Sequence, residues 1–206
     1  MSLWGRIFAA GYDRFMAGTE KAGLRDRRRA LLEDANGRVL EIGAGTGANL
    51  DLYGEGVRDL VLTEPEEPMA KRLEQKAAAA GRPVLVVRAP AEQLPFPDDS
   101  FDTAVCTLVL CTVRDPQQAL AEIRRVLRPG GRLLFLEHVR SEDPNVAKWQ
   151  DRIAPIWRPI GHGCNCNRPT SDLIEQTFTP VEVTRDSMPK APPIFRPLRI
   201  GRAVAP

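Results

Sequence analysis

Few side chains in this sequence could transfer a proton near neutral pH. There are two histidines, His138 and His162, and four cysteines. His138 ends the apolar run RLLFLEH, a predicted strand, so it should lie at the carboxyl edge where open parallel sheets bind ligands. His162 lies in a glycine-rich loop, 161–163. Each imidazole is a candidate catalytic base and, equally, a candidate structural partner of a loop carbonyl.

The cysteines raise the question of a metal. Cys164 and Cys166 follow His162 at alternate positions, but this spacing lacks Cys-x-x-Cys, and a fourth ligand such as Cys111 would have to come from elsewhere. We therefore predict no metal. Cys164 and Cys111 are expected to line an acceptor pocket, although Cys106 and Cys111 also suit a strand as small core residues. Without a secretory leader, the four thiols predict a reducing, cytoplasmic location.

A glycine-rich motif predicts a nucleotide-like ligand. Gly43-Ala44-Gly45-Thr46-Gly47-Ala48 follows the predicted strand VLEI and precedes a predicted helix, a context in which backbone amides approach a ligand closely. Glu64 ends the next predicted strand, where a carboxylate can accept both ribose hydroxyls. A tight turn beside a surface glutamate is the alternative. The motif suits both nicotinamide and S-adenosylmethionine enzymes. The sequence lacks a Tyr-x-x-x-Lys pair and room for a second catalytic domain, which disfavours a dehydrogenase.

The elements that must position these residues alternate along the chain. The apolar runs RVLEIG, RDLVLTE, RPVLVV, FDTAVCTLVL and RLLFLEHV are predicted strands, and helices are predicted over 68–80 and 115–127. Strands without polar alternation indicate a buried parallel sheet, so the fold class is α/β. Helices are also expected over 20–35 and 170–177, with short strands near 181–184 and 200–203. The stretch from 139 to 168 shows only a weak pattern.

Composition excludes several classes of protein. The chain has 206 residues, 43% hydrophobic and 27% charged, which is typical of one globular domain. Its 29 basic and 27 acidic side chains leave a net charge of +2, too balanced for a nucleic-acid clamp. The densest basic cluster, Arg25, Arg27, Arg28 and Arg29, is interrupted by Asp26 and is predicted to be a solvated helix face.

The apolar segments are too short to cross a membrane. The longest, 104–113, falls well below the roughly 18 residues that a span requires. The N-terminal segment is a predicted amphipathic helix, with an apolar stripe at Leu3, Trp4, Ile7, Phe8, Tyr12, Phe15 and Met16. Such a stripe packs either into the protein's own cleft or against a membrane surface, and we expect the cleft.

Four strings carry a family resemblance across most of the chain. VLEIGAGTGANL, TEPEEPM, RAPAEQLPFPDDSFDTAVCTLVLC and RRVLRPGGRLLFLEHV resemble the successive motifs of class I S-adenosylmethionine-dependent methyltransferases. CTLVLC, LEHV, the segment from Trp149 to Trp157 and Gly163-Cys164-Asn165 resemble the methyltransferase-like thiol S-methyltransferases more narrowly, within a branch that includes the ubiquinone and menaquinone C-methyltransferases.

The resemblance implies a Rossmann-like fold with a mostly parallel seven-stranded sheet, helices on both faces and an N-terminal lid helix. It implies one domain over 1–206, with lid helices in 1–35, a cofactor-binding core in 36–140 and a substrate-side insert with the last strands in 141–206. It also implies S-adenosylmethionine as cofactor and S-adenosylhomocysteine as product. The implied cofactor-binding residues are Tyr12, Glu41, Gly43, Gly45, Gly47, Glu64, Pro65, Met69, Ala91, Glu92, Thr107 and Leu108.

The acceptor is expected to be a small molecule. A thiol is preferred, because its free pKa of about 8.5 allows partial ionisation with little help from the protein. The alternatives are a quinol or phenol, a phospholipid amine, or cofactor binding without catalysis. Beside the two cysteines, the candidate substrate-binding residues are Trp149, Trp157, Asn165 and Arg168. The two tryptophans lie eight residues apart, so both are expected to face the cleft.

Overall fold

The fold is built on one seven-stranded sheet. The computed structural model describes residues 3–179 and 181–206; the predicted stripe positions Leu3, Trp4 and Phe8 lie outside the described side chains. The sheet order is β3-β2-β1-β4-β5-β7-β6. The strands are β1 Gly37–Ile42, β2 Val57–Thr63, β3 Val84–Val87, β4 Phe101–Thr107, β5 Leu127–His138, β6 Val181–Ser187 and β7 Pro197–Val204. The first five are parallel, and β7 pairs antiparallel with β5 and β6.

Helices cover both faces of this sheet. They are α1 Leu3–Thr19, α2 Arg25–Leu32, α3 Glu67–Ala78, α4 Pro116–Val126, α5 Pro144–Ile160 and α6 Thr170–Thr177. Alternate residues of β5 point in opposite directions: Leu133 and Phe135 join the core with α4 and α6, and Leu134 and Leu136 join the core with α2. The βαβ prediction and the two covered faces are therefore confirmed.

The predicted helix over 20–35 is interrupted. Residues Glu20–Leu24 form a π-helical turn in which Gly23 has a φ of 119°, and α2 begins only at Arg25. Glycine adopts this left-handed backbone at little cost, so the kink falls at that residue. The break turns α2 toward the sheet and buries Arg28, which corrects the prediction of a fully solvated arginine face.

The helix predicted after the glycine motif does not form. Residues 45–52 make successive turns, with Gly47 N donating to Ala44 O (2.9 Å) and Leu52 N to Asn49 O (2.8 Å). Gly43, Gly45 and Gly47 all have positive φ values, which an α-helix excludes. The loop is held to the sheet instead, since Ala44 N donates to Thr63 O at the end of β2 (2.8 Å).

The weakly patterned stretch after β5 contains α5, a 17-residue helix that continues past Pro155 and Pro159. Its N-terminus is capped by Asp143, whose carboxylate accepts from the Asn145 amide at 2.8 Å. The buried Gln150 ties it to its surroundings, because Nε2 donates to the Val139, Cys166 and Ile194 carbonyls at 2.9–3.2 Å. These long-range contacts stabilise α5, a helix that the local sequence pattern predicts only weakly.

Candidate active site

A cavity of about 1420 Å³ opens at the carboxyl edge of the parallel strands. This exceeds the roughly 300–1,000 Å³ of a site for one small molecule, so a cofactor and an acceptor can share it. The sequence-predicted residues that line it are Tyr12, Gly43, Gly45, Glu64, Pro65, Met69, Ala91, Glu92 and Leu108 on one side, with Cys111, His138, Trp157, His162 and Cys164 on the other. We refer to these two ends as the cofactor end and the acceptor end.

Glu64 is the central polar group of the cofactor end. It is 6% exposed, and its two carboxylate oxygens accept from Gly45 N and Glu66 N, each at 2.9 Å. Burial raises the pKa of Glu64. Gly43, beside it, has a φ of 60°, and a Cβ there would meet Val109 Cγ1 at 2.8 Å. The loop therefore needs glycine to bring backbone amides to the cavity wall.

Helix α1 lies over this end of the cavity. Ile7, Tyr12, Phe15 and Met16 line it, which is the predicted cleft packing, although Ile7 and Phe15 are 53% and 70% exposed. Asp13, a residue the sequence analysis missed, accepts from Thr46 Oγ1 (2.5 Å) and from Lys76 Nζ (3.2 Å). These contacts join α1 to the glycine loop and to α3, as expected of a lid helix.

Three predicted cofactor-binding residues are not among the described residues lining the cavity: Glu41, Gly47 and Thr107. Glu41 is buried beneath the glycine loop, where it accepts from Asn49 Nδ2 (2.9 Å) and Tyr53 Oη (2.7 Å). Burial raises its pKa to about 7. Direct cofactor contact by Glu41 and Thr107 stays a prediction; in this structure their side chains support the glycine loop through hydrogen bonds to Asn49.

Arg28 completes this buried network. Its guanidinium donates to Thr107 Oγ1 (2.6 Å), Asn49 Oδ1 (3.1 Å) and Glu20 Oε1 (3.2 Å). Each partner comes from a different part of the chain, so no spacing rule could have identified the residue. The arginine links α2 to the end of β4 and to the turn that follows the glycine motif.

Glu137 is a second buried carboxylate that the sequence analysis missed. It accepts from the backbone amides of Val109, Leu110 and Cys111 at 2.8, 2.9 and 3.2 Å. Burial raises its pKa to about 7. The carboxylate holds the loop after β4 in place. In the sequence, the indication of a buried carboxylate was the single acidic residue inside the apolar run RLLFLEH.

Two thiols and an imidazole converge at the acceptor end. Cys164 Sγ lies 3.9 Å from Cys111 Sγ and 3.9 Å from His138 Nδ1. Cys111 and Cys164 are buried, and the His138 side chain is half-buried with an Nε2 atom that has no hydrogen-bond partner among the described residues. The hydrogen bond between Cys164 and Cys111 and the nearby His138 lower the pKa of the Cys164 thiol, and the same hydrogen bond together with burial raises the pKa of the Cys111 thiol.

Asn165 and Arg168 hold this end together and are not among the residues that line the cavity. Asn165 donates to the Cys111 carbonyl from its backbone N (2.8 Å) and from Nδ2 (3.3 Å), and Arg168 donates to the Leu110 carbonyl. They join the loop after α5 to the loop after β4. Their substrate contact stays a prediction, and in this structure both residues position the two loops.

Trp149 corrects the prediction that both tryptophans face the cleft. Trp157 lines the cavity with its ring 4.3 Å from that of Phe195, centroid to centroid. Trp149 is 55% exposed on the outer side of α5, with the Arg152 guanidinium 5.4 Å from its ring. Eight residues along an α-helix leave two side chains about 80° apart, which is enough to turn one away.

The sheet order, the glycine loop and the carboxylate at the end of β2 define an enzyme of the nucleotide-cofactor class. A family model described as "Methyltransferase domain" matches residues 40–135. The human thiol S-methyltransferase TMT1B is 40% identical over 181 residues, 84% of this chain and 73% of that protein. The phosphatidylethanolamine N-methyltransferase of Cereibacter sphaeroides is 31% identical over 173 residues, 81% of this chain and 85% of that protein.

A solved structure shares the whole fold. The crystal structure of a Thermotoga maritima S-adenosylmethionine-dependent methyltransferase, titled a possible histamine N-methyltransferase, has a TM-score of 0.73 at 23% identity and covers 98% of both chains. The chain belongs to the class I S-adenosylmethionine-dependent methyltransferases. Among the described residues, no helix has the length and apolarity to cross a membrane.

Proposed function

We propose that this enzyme methylates the sulfur of a small apolar thiol. The observation that carries the proposal is the composition of the acceptor end. Its walls are apolar, from Val113, Trp157, Ile160 and Phe195, and its uncharged polar side chains are dominated by the cysteines and histidines already described. Of the carboxylates among the described lining residues, Glu64 and Glu66 belong to the cofactor end, and Glu92 accepts from Arg114 N and Asp115 N at 2.8 and 3.2 Å.

Charge at the acceptor end supports an acceptor that becomes an anion. Arg158 and Lys190 lie at its rim, exposed to solvent. Positive charge favours the thiolate form of a thiol and disfavours an amine, whose methylated product is cationic. A thiol also needs less deprotonation than a phenol. The similarity to a relative named for thiol S-methylation agrees with this choice.

We propose that the cofactor is held at the opposite end. Glu64 would accept from the ribose hydroxyls, Gly43 and Gly45 would lie against the methionine portion, and Met69 and Ala91 would border the adenine. When bound, S-adenosylmethionine supplies a methyl group on a positively charged sulfur. The residues of this chain contribute alignment of donor and acceptor, which alone provides several orders of magnitude in rate. The histidines His138 and His162 are proposed to contact the acceptor.

The enzyme's four unpaired thiols suit a reducing compartment, and we propose that it acts in the cytoplasm. The shape of the cavity does not by itself favour a quinol as the acceptor. The positive charge at the rim disfavours a phospholipid amine.

Mass spectrometry of products tests the acceptor. Purified enzyme is incubated with S-adenosylmethionine and, in parallel, a small dithiol, a quinol and an ethanolamine phospholipid in vesicles. We expect a gain of one methyl group on the dithiol alone, and Glu64→Ala should abolish it as a cofactor-binding control. Methylation of the quinol or the phospholipid without the dithiol would overturn the proposal. Measured cofactor binding with no methylated product would also overturn it.

A further inference from the structure

Two thiols and an imidazole line the acceptor end without a role in the cofactor site. We propose that Cys111, His138 and Cys164 form a zinc site whose open fourth position binds the acceptor as a thiolate. The inference rests on the proposed thiol acceptor for its chemistry, but the metal site itself rests on geometry. It also replaces our expectation that the chain holds no metal, which considered Cys166 and His162 as ligands.

Two of the three ligand-atom separations, both from Cys164 Sγ, are close to those that a tetrahedral ion requires. Zinc binds cysteine sulfur at about 2.3 Å and histidine nitrogen at about 2.0–2.1 Å, so in a tetrahedron two sulfurs lie about 3.8 Å apart and a sulfur and a nitrogen about 3.6 Å apart. The structure has Cys164 Sγ 3.9 Å from Cys111 Sγ and 3.9 Å from His138 Nδ1. All three ligand atoms lie within 4.8 Å of one another.

The types of ligand select the metal. Thiolate sulfur is soft and imidazole is intermediate, a combination that favours zinc over the hard cations magnesium and calcium. Three protein ligands with a fourth position open are the arrangement of catalytic zinc sites, whereas structural sites are closed by four. All three residues line the cavity, so the open position faces the space available to an acceptor.

The surrounding structure holds the ligands in place without a metal. Glu137 binds the three amides of the loop that carries Cys111. Asn165 binds the Cys111 carbonyl and so fixes the neighbouring Cys164 against it. The His138 carbonyl accepts from Thr170 Oγ1 at 3.2 Å. Two loops and a strand end are thereby joined around the cluster, as a precise site requires.

Charge and electrons balance in the reaction that this site would support. Two cysteine thiolates neutralise Zn²⁺, and a thiol R–SH then binds as R–S⁻ and releases its proton to solvent. The sulfur lone pair attacks the methyl carbon of the sulfonium, a new S–CH₃ bond forms, and the old C–S bond breaks with its electron pair returning to the cofactor sulfur. The neutral thioether is a weaker zinc ligand than the thiolate and leaves.

Metal binding is measured separately from activity. The full chain is kept reduced with a phosphine, loaded with Zn²⁺, desalted and analysed by plasma mass spectrometry, and a second sample is loaded with Co²⁺ and examined by absorption spectroscopy. We expect one zinc per chain and a thiolate-to-cobalt charge-transfer band. Cys111→Ser, Cys164→Ser and His138→Gln should each weaken zinc binding by about 100-fold or more. Cys166→Ser, a buried thiol on the same loop but outside the cluster, should retain both signals.

The outcomes separate this inference from the proposed function. Folding of each variant is checked by its affinity for S-adenosylhomocysteine, which binds at the other end of the cavity. Absence of zinc from the reduced wild-type chain, or retention of zinc by all three cluster variants, would overturn the metal site. Thiol methylation by metal-free enzyme would leave the proposed function intact and overturn the inference. Specific zinc binding without methylation of any thiol would leave the metal site intact and overturn the proposed function.

Discussion

Replacement of Glu64 by glutamine isolates the contribution of one carboxylate to cofactor binding. The side chain keeps its size, but one oxygen becomes an amide group that can only donate. In the structure both oxygens already accept from backbone amides, Gly45 N and Glu66 N at 2.9 Å. In Glu64→Gln, one of these amides faces another donor, and the proposed contact with the cofactor ribose loses its charged acceptor.

The expected loss follows from the number of bonds. A hydrogen bond to a charged group contributes about 1.5–3 kcal/mol, and the variant weakens one such bond to the ribose and disturbs one within the loop. We therefore expect binding to weaken by about 2–3 kcal/mol. Since each 1.4 kcal/mol corresponds to a factor of ten, the dissociation constant should rise by about 30–150-fold.

Isothermal titration calorimetry with S-adenosylhomocysteine measures this constant without turnover. Glu74→Gln is the matched control, because it removes the same charge from the exposed side of α3 and should bind as the wild type does. Thermal unfolding without ligand shows whether the variant remains folded at the titration temperature. A dissociation constant within about threefold of the wild-type value, in a folded variant, would refute the role of Glu64.

Three further predictions concern stability. Gly43→Ala should lower the free energy of unfolding, measured by chemical denaturation, by about 2–4 kcal/mol, because the cost of a positive φ adds to the cost of the close contact with Val109. Gly54→Ala is the control and should be nearly neutral, because a Cβ there meets no atom within 4 Å. Equal effects of the two substitutions would contradict the strain argument. Arg28→Met should lower the free energy of unfolding by about 3 kcal/mol, whereas Arg29→Met, at an exposed position, should change it little. Similar urea midpoints for the two variants would show that the buried network does not stabilise the fold. The pKa of Glu41, raised to about 7 from 4.5, makes its folded state bind a proton more tightly, so stability should fall by up to about 3 kcal/mol as pH rises from 4.5 through 7. Glu41→Gln should remove that part of the slope, and an unchanged slope would assign it to other groups.

Local sequence patterns predicted most of the sheet. The parallel strands β1, β2, β4 and β5 are largely buried runs of apolar residues, whereas the edge strand β3 is apolar but partly exposed. The order of these strands along the chain, with helices between them, leaves few alternative topologies. Helix α4 was readable because Asp115 and Pro116 mark its start, and the Asp115 carboxylate does accept from Gln118 N at 3.0 Å. These signals depend on neighbouring residues, so they can be recognised without knowledge of the fold.

Two of the wrong predictions share a physical cause. The solvated Arg28 and the inward Trp149 both depended on contacts between distant parts of the chain, whereas the positive φ values of the glycines exclude the helix after the glycine motif. Arg28 is buried because Thr107 and Asn49 supply acceptors, and Trp149 is exposed because α5 presents its Trp157 face to the cavity. Such outcomes are set by packing, which local propensity does not encode.

By itself the sequence determined the class of fold, the glycine loop, the carboxylate after β2 and the family, because each of these depends on a pattern of neighbouring residues. Only the tertiary structure decided what surrounds the reaction. Cys111, His138 and Cys164 come from the loop after β4, the end of β5 and the loop after α5, and they meet within 4.8 Å only when the sheet edge and α5 are assembled. Their separation along the chain hides the cluster from spacing rules, and three-dimensional packing alone brings its ligand atoms together.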